Sequence, residues 1–173
     1  KKLIASLVVL FVIGCAGVFS GYQYVRSTLP QLITLDDYKP LLVTKVFDRN
    51  GKQIGEFFRE RRTLVSYKDI PKNVVNAFLA AEDDQFFQHG GINYISIIRA
   101  AVANLRAGHT VQGGSTITQQ VAKTLLLSSE QTLIRKAKEA LLAQQMEDHL
   151  SKEDILYLYL NQIYFGQGAY GIE

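Results

Sequence analysis

Residues 80–91 read AAEDDQFFQHGG: an acidic triplet, two phenylalanines, then a histidine ahead of two glycines. Just before them Val74, Val75, Phe78 and Leu79 recur at helical spacing behind Pro71, which predicts a helix over residues 71–81 with proline in its first turn. Glu82, Asp83 and Asp84 therefore fall at the end of an apolar helix. The chain beyond continues in the same period. Ile95, Ile97, Ile98, Ala101, Val102 and Leu105 predict a helix over residues 93–106, ending before Gly108. Another over residues 115–127 follows a glycine pair, and Leu133, Ala137, Leu141 and Leu142 line one over residues 131–150. The last, residues 151–166, starts on SKED, a capping box with Ser151 at the cap and an acid three residues on. Five helices in series make the domain mainly α.

Upstream of Pro71 the pattern changes. Residues 41–58, LLVTKVFDRNGKQIGEFF, carry apolar and β-branched residues on both sides of Asn50-Gly51, the strongest short-range hairpin signal. Strands are expected at about 42–48 and 53–59, with a possible short third strand in RRTLVSYKDIP. Residues 27–40, with Pro30 and Pro40, read as a linker. Further back, residues 3–25 hold no charge at all, and at about 1.5 Å per residue they span a hydrocarbon core of roughly 30 Å. Lys1 and Lys2 precede this run, Arg26 follows it, and Tyr22 and Tyr24 stand where an aromatic belt belongs. The positive-inside rule puts the lysines in the cytoplasm and everything after Arg26 outside. A cleaved signal peptide, or a lipoprotein cleavage box at VIGC (residues 12–15), is the competing reading. The expected division is an anchor at 1–27, a linker and hairpin at 28–70, and a helical domain at 71–173 that continues beyond the last residue.

Composition narrows the function classes. Nineteen Lys and Arg against sixteen Asp and Glu give +3 over 173 residues, too mild for the basic stripe of a nucleic-acid binder. The single cysteine, Cys15, allows no disulfide within the chain.

Four constellations could carry chemistry. Partial desolvation at an apolar helix end, beside two like charges, favours a carboxyl that holds its proton, so Glu82 suits proton transfer near neutral pH. An acidic surface turn is the plainer alternative, as a hydrogen-bonded structural histidine is for His89. In QGGSTITQQVAK, residues 112–123, Gly113 and Gly114 allow close backbone approach, and Ser115 or Thr116 can cap the next helix. Thr116, Gln120 and Lys123 then share a face, a cradle for an oxyanion or sugar phosphate at a helix N-terminus. The alternative is a glycine-rich turn into an exposed polar face; the P-loop pattern is not met. Arg135 and Glu139 sit four apart in RKAKE, where a surface ion pair would contribute only ~0.3–0.5 kcal/mol. Glu82 and Glu139 together would make the two carboxyls of glycosidic chemistry. Lastly, Asn161 with Gly166, Gly168 and Gly171 reads as a turn packed closely on something else.

Taken together, these segments resemble the bacterial peptidoglycan glycosyltransferases, membrane-anchored polymerases of lipid II. The family's E-D-x-x-F-x-x-H-x-G is met by Glu82, Asp83, Phe86, His89 and Gly91. Its G-x-S-T-[IL]-x-x-Q is met by Gly113, Ser115, Thr116, Ile117 and Gln120, with Lys123 following. R-K-x-x-E is met by Arg135, Lys136 and Glu139, and I-L-x-x-Y-L-N-x-x-Y-[FL]-G runs from Ile155 to Gly166. Residues 46–71 resemble the lead-in of bifunctional class A penicillin-binding proteins. The resemblance covers about residues 71–173, with Thr124 where many relatives carry Asn and Gln131 where they carry Arg.

The resemblance implies a lysozyme-like, α-rich fold with a membrane-embedded mobile jaw near residues 93–112. It implies that Glu82 is the general base, that Lys123, Arg135 and Lys136 balance the departing pyrophosphate, and that Glu139 positions that group or holds a divalent cation (Mg or Mn) beside it. Asp83, Phe86, His89, Ser115, Thr116, Gln120 and Asn161 belong to the implied substrate-binding set. The implied partners are lipid II, the growing glycan chain, the lipid bilayer and other cell-wall synthesis proteins, with no nucleic acid. The implied location is the bacterial cytoplasmic membrane, with the catalytic domain on its outer face. A lysozyme-like peptidoglycan hydrolase and a non-catalytic membrane-anchored scaffold are the alternatives.

Overall fold

The computed structural model describes residues 2–32, 34, 35, 37–60, 62–128, 130, 132–167 and 169–172. Lys1, Gln131 and Gly168, which the sequence reading uses, lie outside the described residues. The chain opens with α1 (Lys2–Ser27), a helix of 26 residues with none of them buried. At 1.5 Å per residue it is about 39 Å long, and it is the one helix among the described residues long and apolar enough to cross a membrane. Its end meets the helical body where the Lys138 ammonium donates to the Thr28 carbonyl at 3.0 Å.

The Asn50-Gly51 hairpin forms, shorter than its pattern suggested. β1 (Thr44–Phe47) pairs antiparallel with β2 (Gln53–Phe57), setting Thr44 opposite Phe57 and Val46 opposite Gly55. Asp48 Oδ1 accepts the backbone N–H of both Asn50 and Lys52, at 2.8 and 2.9 Å. That side chain shapes a wider loop, and the register shifts between Val46 and Phe47.

The suspected third strand is not found among the described residues. Residues 62–66 take no regular structure, and the partner of Val65 is a side chain: Asn161 Oδ1 accepts from the Val65 N–H at 2.8 Å and Asn161 Nδ2 donates to the Val65 carbonyl at 3.0 Å. One amide thus supplies both bonds a neighbouring strand would give. A single 3-10 turn, Tyr67–Asp69, follows.

Five helices then come in the expected order: α2 (Lys72–Glu82), α3 (Tyr94–Ala107), α4 (Ile117–Leu126), α5 (Leu133–His149) and α6 (Lys152–Gln162). Side-chain caps start four of them. Asn93 accepts from Ser96 N–H, Thr132 from Arg135 N–H, and Thr116 and Ser151 form full capping boxes with Gln119 and Asp154. Each satisfies backbone donors that a helix start leaves unpaired. The core lies where α4 packs between α5 and α6, built on Ile117, Val121, Leu142, Ile155, Leu156 and Leu160, with Phe86 from the turn after α2.

Two elements differ from the expectation. α6 stops at Gln162 rather than reaching residue 166; Ile163 turns out of the helix at φ −57°, ψ 137°, and β3 (Tyr164–Gly166) pairs with β4 (Ala169–Tyr170). Arg62, 3% exposed, fastens that end: it donates to Gln162 Oε1 at 2.7 Å and stands 5.2 Å over the Tyr170 ring. The stretch read as a linker also packs on the body, with Leu29, Leu32, Leu35 and Tyr38 against the core and the Tyr38 hydroxyl donating to Gln162 at 3.0 Å.

α3 stands apart in character. Tyr94, Ile95, Ile98, Val102 and Leu105 are all exposed, Leu105 at 84%, so this helix turns an apolar face outward.

Candidate active site

A cleft of about 620 Å³ opens between the end of α2, the start of α3, residues 111–116 and α4. The acidic triplet sits at its edge, and its three members meet three different neighbours. Glu82, the last residue of α2, is exposed and lines the cleft; its Oε2 accepts from the Gln120 amide at 2.8 Å. Asp83 turns inward and is 6% exposed. Its Oδ2 accepts the Ile117 N–H at 3.1 Å, at the positive end of α4, and His89 Nε2 stands 2.9 Å from the same oxygen. Asp84 stays at the rim, half-exposed, 3.7 Å from the Arg99 guanidinium. This sorting answers why a carboxylate cluster ends an apolar helix: Asp83 pins the helix end to α4, and the pin presents Glu82 to the cleft.

Behind the pin lies a second layer of contacts. Phe86, 1% exposed, meets His89 edge-on, and the Lys152 ammonium sits 4.2 Å over the Phe86 ring. The same ammonium donates to the His89 carbonyl at 2.7 Å and to Glu147 at 2.8 Å, while Glu147 also accepts from the Thr118 hydroxyl at 2.6 Å. Phe86 and His89 therefore support the wall from within and do not line the cleft. Gly91 ends this loop at φ +86°, where a Cβ would lie 2.7 Å from the Ala143 carbonyl oxygen.

In the second motif the structure divides the labour between two hydroxyls. Thr116, 2% exposed, caps α4 and donates to the Gly91 carbonyl at 2.6 Å, so the protein itself uses its oxygen. Ser115 Oγ accepts from the Lys136 ammonium at 2.8 Å, which brings a cation of α5 to the cleft edge. Gln120 and Lys123 line the cleft from α4 as their spacing predicts. Both glycines of the pair line the cleft; Gly113 has open space around it, while a Cβ on Gly114 would lie 3.0 Å from Ile97 Cα, so Gly114 also lets the α3 backbone pack close.

The third motif is not the exposed ion pair that spacing alone suggests. Glu139 is 2% exposed, with Arg135 Nη1 donating to Oε1 at 2.6 Å and Lys136 Nζ to Oε2 at 2.7 Å. A buried carboxylate with both oxygens bracketed by cations is a poor ligand for a further cation. Glu139 does not fit the cation-holding part of its implied role; it fits the positioning part, holding two basic side chains. Arg135 faces a different cavity, of about 670 Å³, between the end of α1 and the start of α5, together with Lys138.

Asn161 is fully buried, and its amide is used by Val65 and by the Tyr157 carbonyl. It stands behind the cleft, in the scaffold. Two side chains that sequence reasoning passed over stand nearer. Arg99 lines the cleft from α3, signalled only as the one charge within an otherwise apolar run. Tyr159 of α6 is 4% exposed, and burial, followed by the nearby Glu82 charge, pushes its hydroxyl well above the usual tyrosine range.

The sequence model of the family described as Transglycosylase matches residues 50–173. Penicillin-binding protein 1A of Aquifex aeolicus (strain VF5) is 44% identical over 173 residues, covering 100% of this chain and 24% of that protein. Penicillin-binding protein 1A of Escherichia coli (strain K12) is 40% identical over 172 residues, 99% of this chain and 20% of that protein. Penicillin-binding protein 1A/1B of Bacillus subtilis (strain 168) is 45% identical over 172 residues, 99% of this chain and 19% of that protein. The chain thus spans a quarter or less of the length of these relatives.

Proposed function

The chain belongs to the Transglycosylase family, and from that membership we propose that it is the glycosyltransferase part of a bifunctional penicillin-binding protein, joining lipid II units into β-1,4-linked glycan with inversion. Glu82 takes the proton from the 4-hydroxyl of the acceptor's N-acetylglucosamine. That oxygen attacks the anomeric carbon of the growing chain, the bond to the diphosphate breaks, and undecaprenyl pyrophosphate leaves with the electron pair. Lys123 and Lys136 balance the charge that develops there, and Glu139 holds Lys136 in place on one oxygen while Arg135 engages the other.

One observation carries the reading: the exposed carboxylate of Glu82 shares a single cleft with Lys123, and Lys136 reaches the same cleft through Ser115. A hydrolase of glycan has no diphosphate to balance, so the convergence of cations on this carboxylate supports the transferase. Because both Glu139 oxygens are engaged, a Mg or Mn ion accompanying the diphosphate would be held by phosphate oxygens. α1 and the outward apolar face of α3 support a protein anchored in, and seated against, the bacterial cytoplasmic membrane. Lys1 and Lys2, ahead of the apolar run in sequence, favour the catalytic domain lying outside. Other cell-wall synthesis proteins are the expected partners.

Incubating the full-length protein with lipid II tests the proposal. Long glycan strands with release of undecaprenyl pyrophosphate are the expected products. Shortening of pre-formed glycan, with lipid II left unconsumed, would overturn it.

A further inference from the structure

The Tyr159 hydroxyl oxygen is buried and has no hydrogen-bond partner among the described residues. A polar group in that state is costly, and native proteins keep few of them without a use. Its surroundings point to the use. The Tyr159 ring meets Phe78 edge-on, with centroids 6.1 Å apart and planes at 80°. Phe78 and Glu82 lie four residues apart on α2, one above the other on a single face. Tyr159 also lines a cavity of about 230 Å³ together with Gln120 and Lys123, the same two residues that line the Glu82 cleft from α4. Gln120 already donates to Glu82 at 2.8 Å. The buried tyrosine of α6 therefore shares a cavity wall with the amide that donates to the carboxylate.

We propose that Tyr159 is a positioning residue for Glu82: with substrate in the cleft, its O–H becomes a second hydrogen-bond donor to the Glu82 carboxylate, beside Gln120. The inference rests on the reading of Glu82 as the general base. Catalytic hydrogen bonds are often loose without substrate and tighten when it binds. The tyrosine is suited to donate, because burial and then the Glu82 charge keep its proton on. The other charged groups facing Glu82 are Asp83 and Asp84 from its own chain turn, Arg99 from α3 and Lys123 from α4, with Lys136 of α5 entering through Ser115.

A donor to the carboxylate favours its charged form, the form that accepts the sugar proton. Removing the donor lets the carboxylate keep a proton to higher pH. The test is the pH dependence of kcat for lipid II polymerisation by the full-length protein, with wild type, Tyr159→Phe and Glu82→Gln measured together. Tyr159→Phe keeps the ring against Phe78 and unfolds at no lower temperature than wild type, while the acid limb of its kcat profile moves up by ~0.5 pH unit or more. A fluorotyrosine at 159, a stronger donor, moves that limb the other way. An acid limb of Tyr159→Phe that superimposes on wild type, with Glu82→Gln inactive, overturns this inference alone. Wild-type rates from Glu82→Gln would overturn the general-base reading and this inference with it.

Discussion

Glu82, Asp83 and Asp84 are consecutive carboxylates, and what separates them is direction: one into the cleft, one into the pin with His89 and Ile117, one to the rim beside Arg99. Glu139 differs again, being buried between two cations. Glu139→Ala removes the buried carboxylate that Arg135 and Lys136 share, while both cations keep some access to water and Lys136 keeps Ser115, so denaturant unfolding should show a loss of about 1–3 kcal/mol. Tyr159 gives a pH-dependent counterpart. Burial raises its folded value above the ordinary 10.0, so its share of stability is intact below pH 10.0 and falls away as pH climbs from there towards the folded value. Unfolding titrations between neutral and strongly alkaline pH should find the fall shallower in Tyr159→Phe; identical curves would contradict the burial argument. Glu82, Lys123 and the Arg135–Glu139 pair could be read from local spacing and motif. Asn161 could not, because its partner Val65 lies 96 residues away, and neither could Tyr159, whose importance depends on which turn of α2 it meets.

At the scale of elements, two caps were legible: Ser151 in its capping box, and Thr116 as one of two candidates. Asn93 and Thr132 cap α3 and α5 without having been read as caps. Helix ends were harder. The apolar period of α6 runs on through Ile163, Tyr164 and Phe165, and only the backbone turn at Ile163 reveals that these residues leave for a small hairpin. The proposed third strand failed for a related reason: residues 62–66 have a strand's composition, but the side chain of Asn161 takes the place a neighbouring strand would occupy. Gly91 is the tightest joint between elements. Gly91→Ala must strain a left-handed backbone, at about 1–3 kcal/mol, and push its methyl against the Ala143 carbonyl. Thermal unfolding should fall accordingly, and an unchanged midpoint would mean that the loop after α2 does not bear on α5.

Across the whole molecule, apolar surface is distributed in a way that a water-facing body does not need. α1 buries none of its residues, and α3 exposes Ile95, Ile98 and Leu105. Replacing Ile98 and Leu105 with serine should weaken binding of the helical body, freed of α1, to phospholipid vesicles in flotation while leaving its unfolding midpoint in place. Equal flotation would separate α3 from the membrane. The mainly α architecture was legible from the helix periods alone; the packing of Leu29, Leu32, Leu35 and Tyr38 against the core was not, since the two prolines and the polar residues among them read as a linker. The account as a whole turns on the carboxylate at position 82. Lipid II polymerisation by the full-length protein, wild type against Glu82→Gln, tests it most directly. A fall of ~10²–10⁴-fold with helical circular dichroism retained is the predicted result; glycan made at the wild-type rate would contradict it.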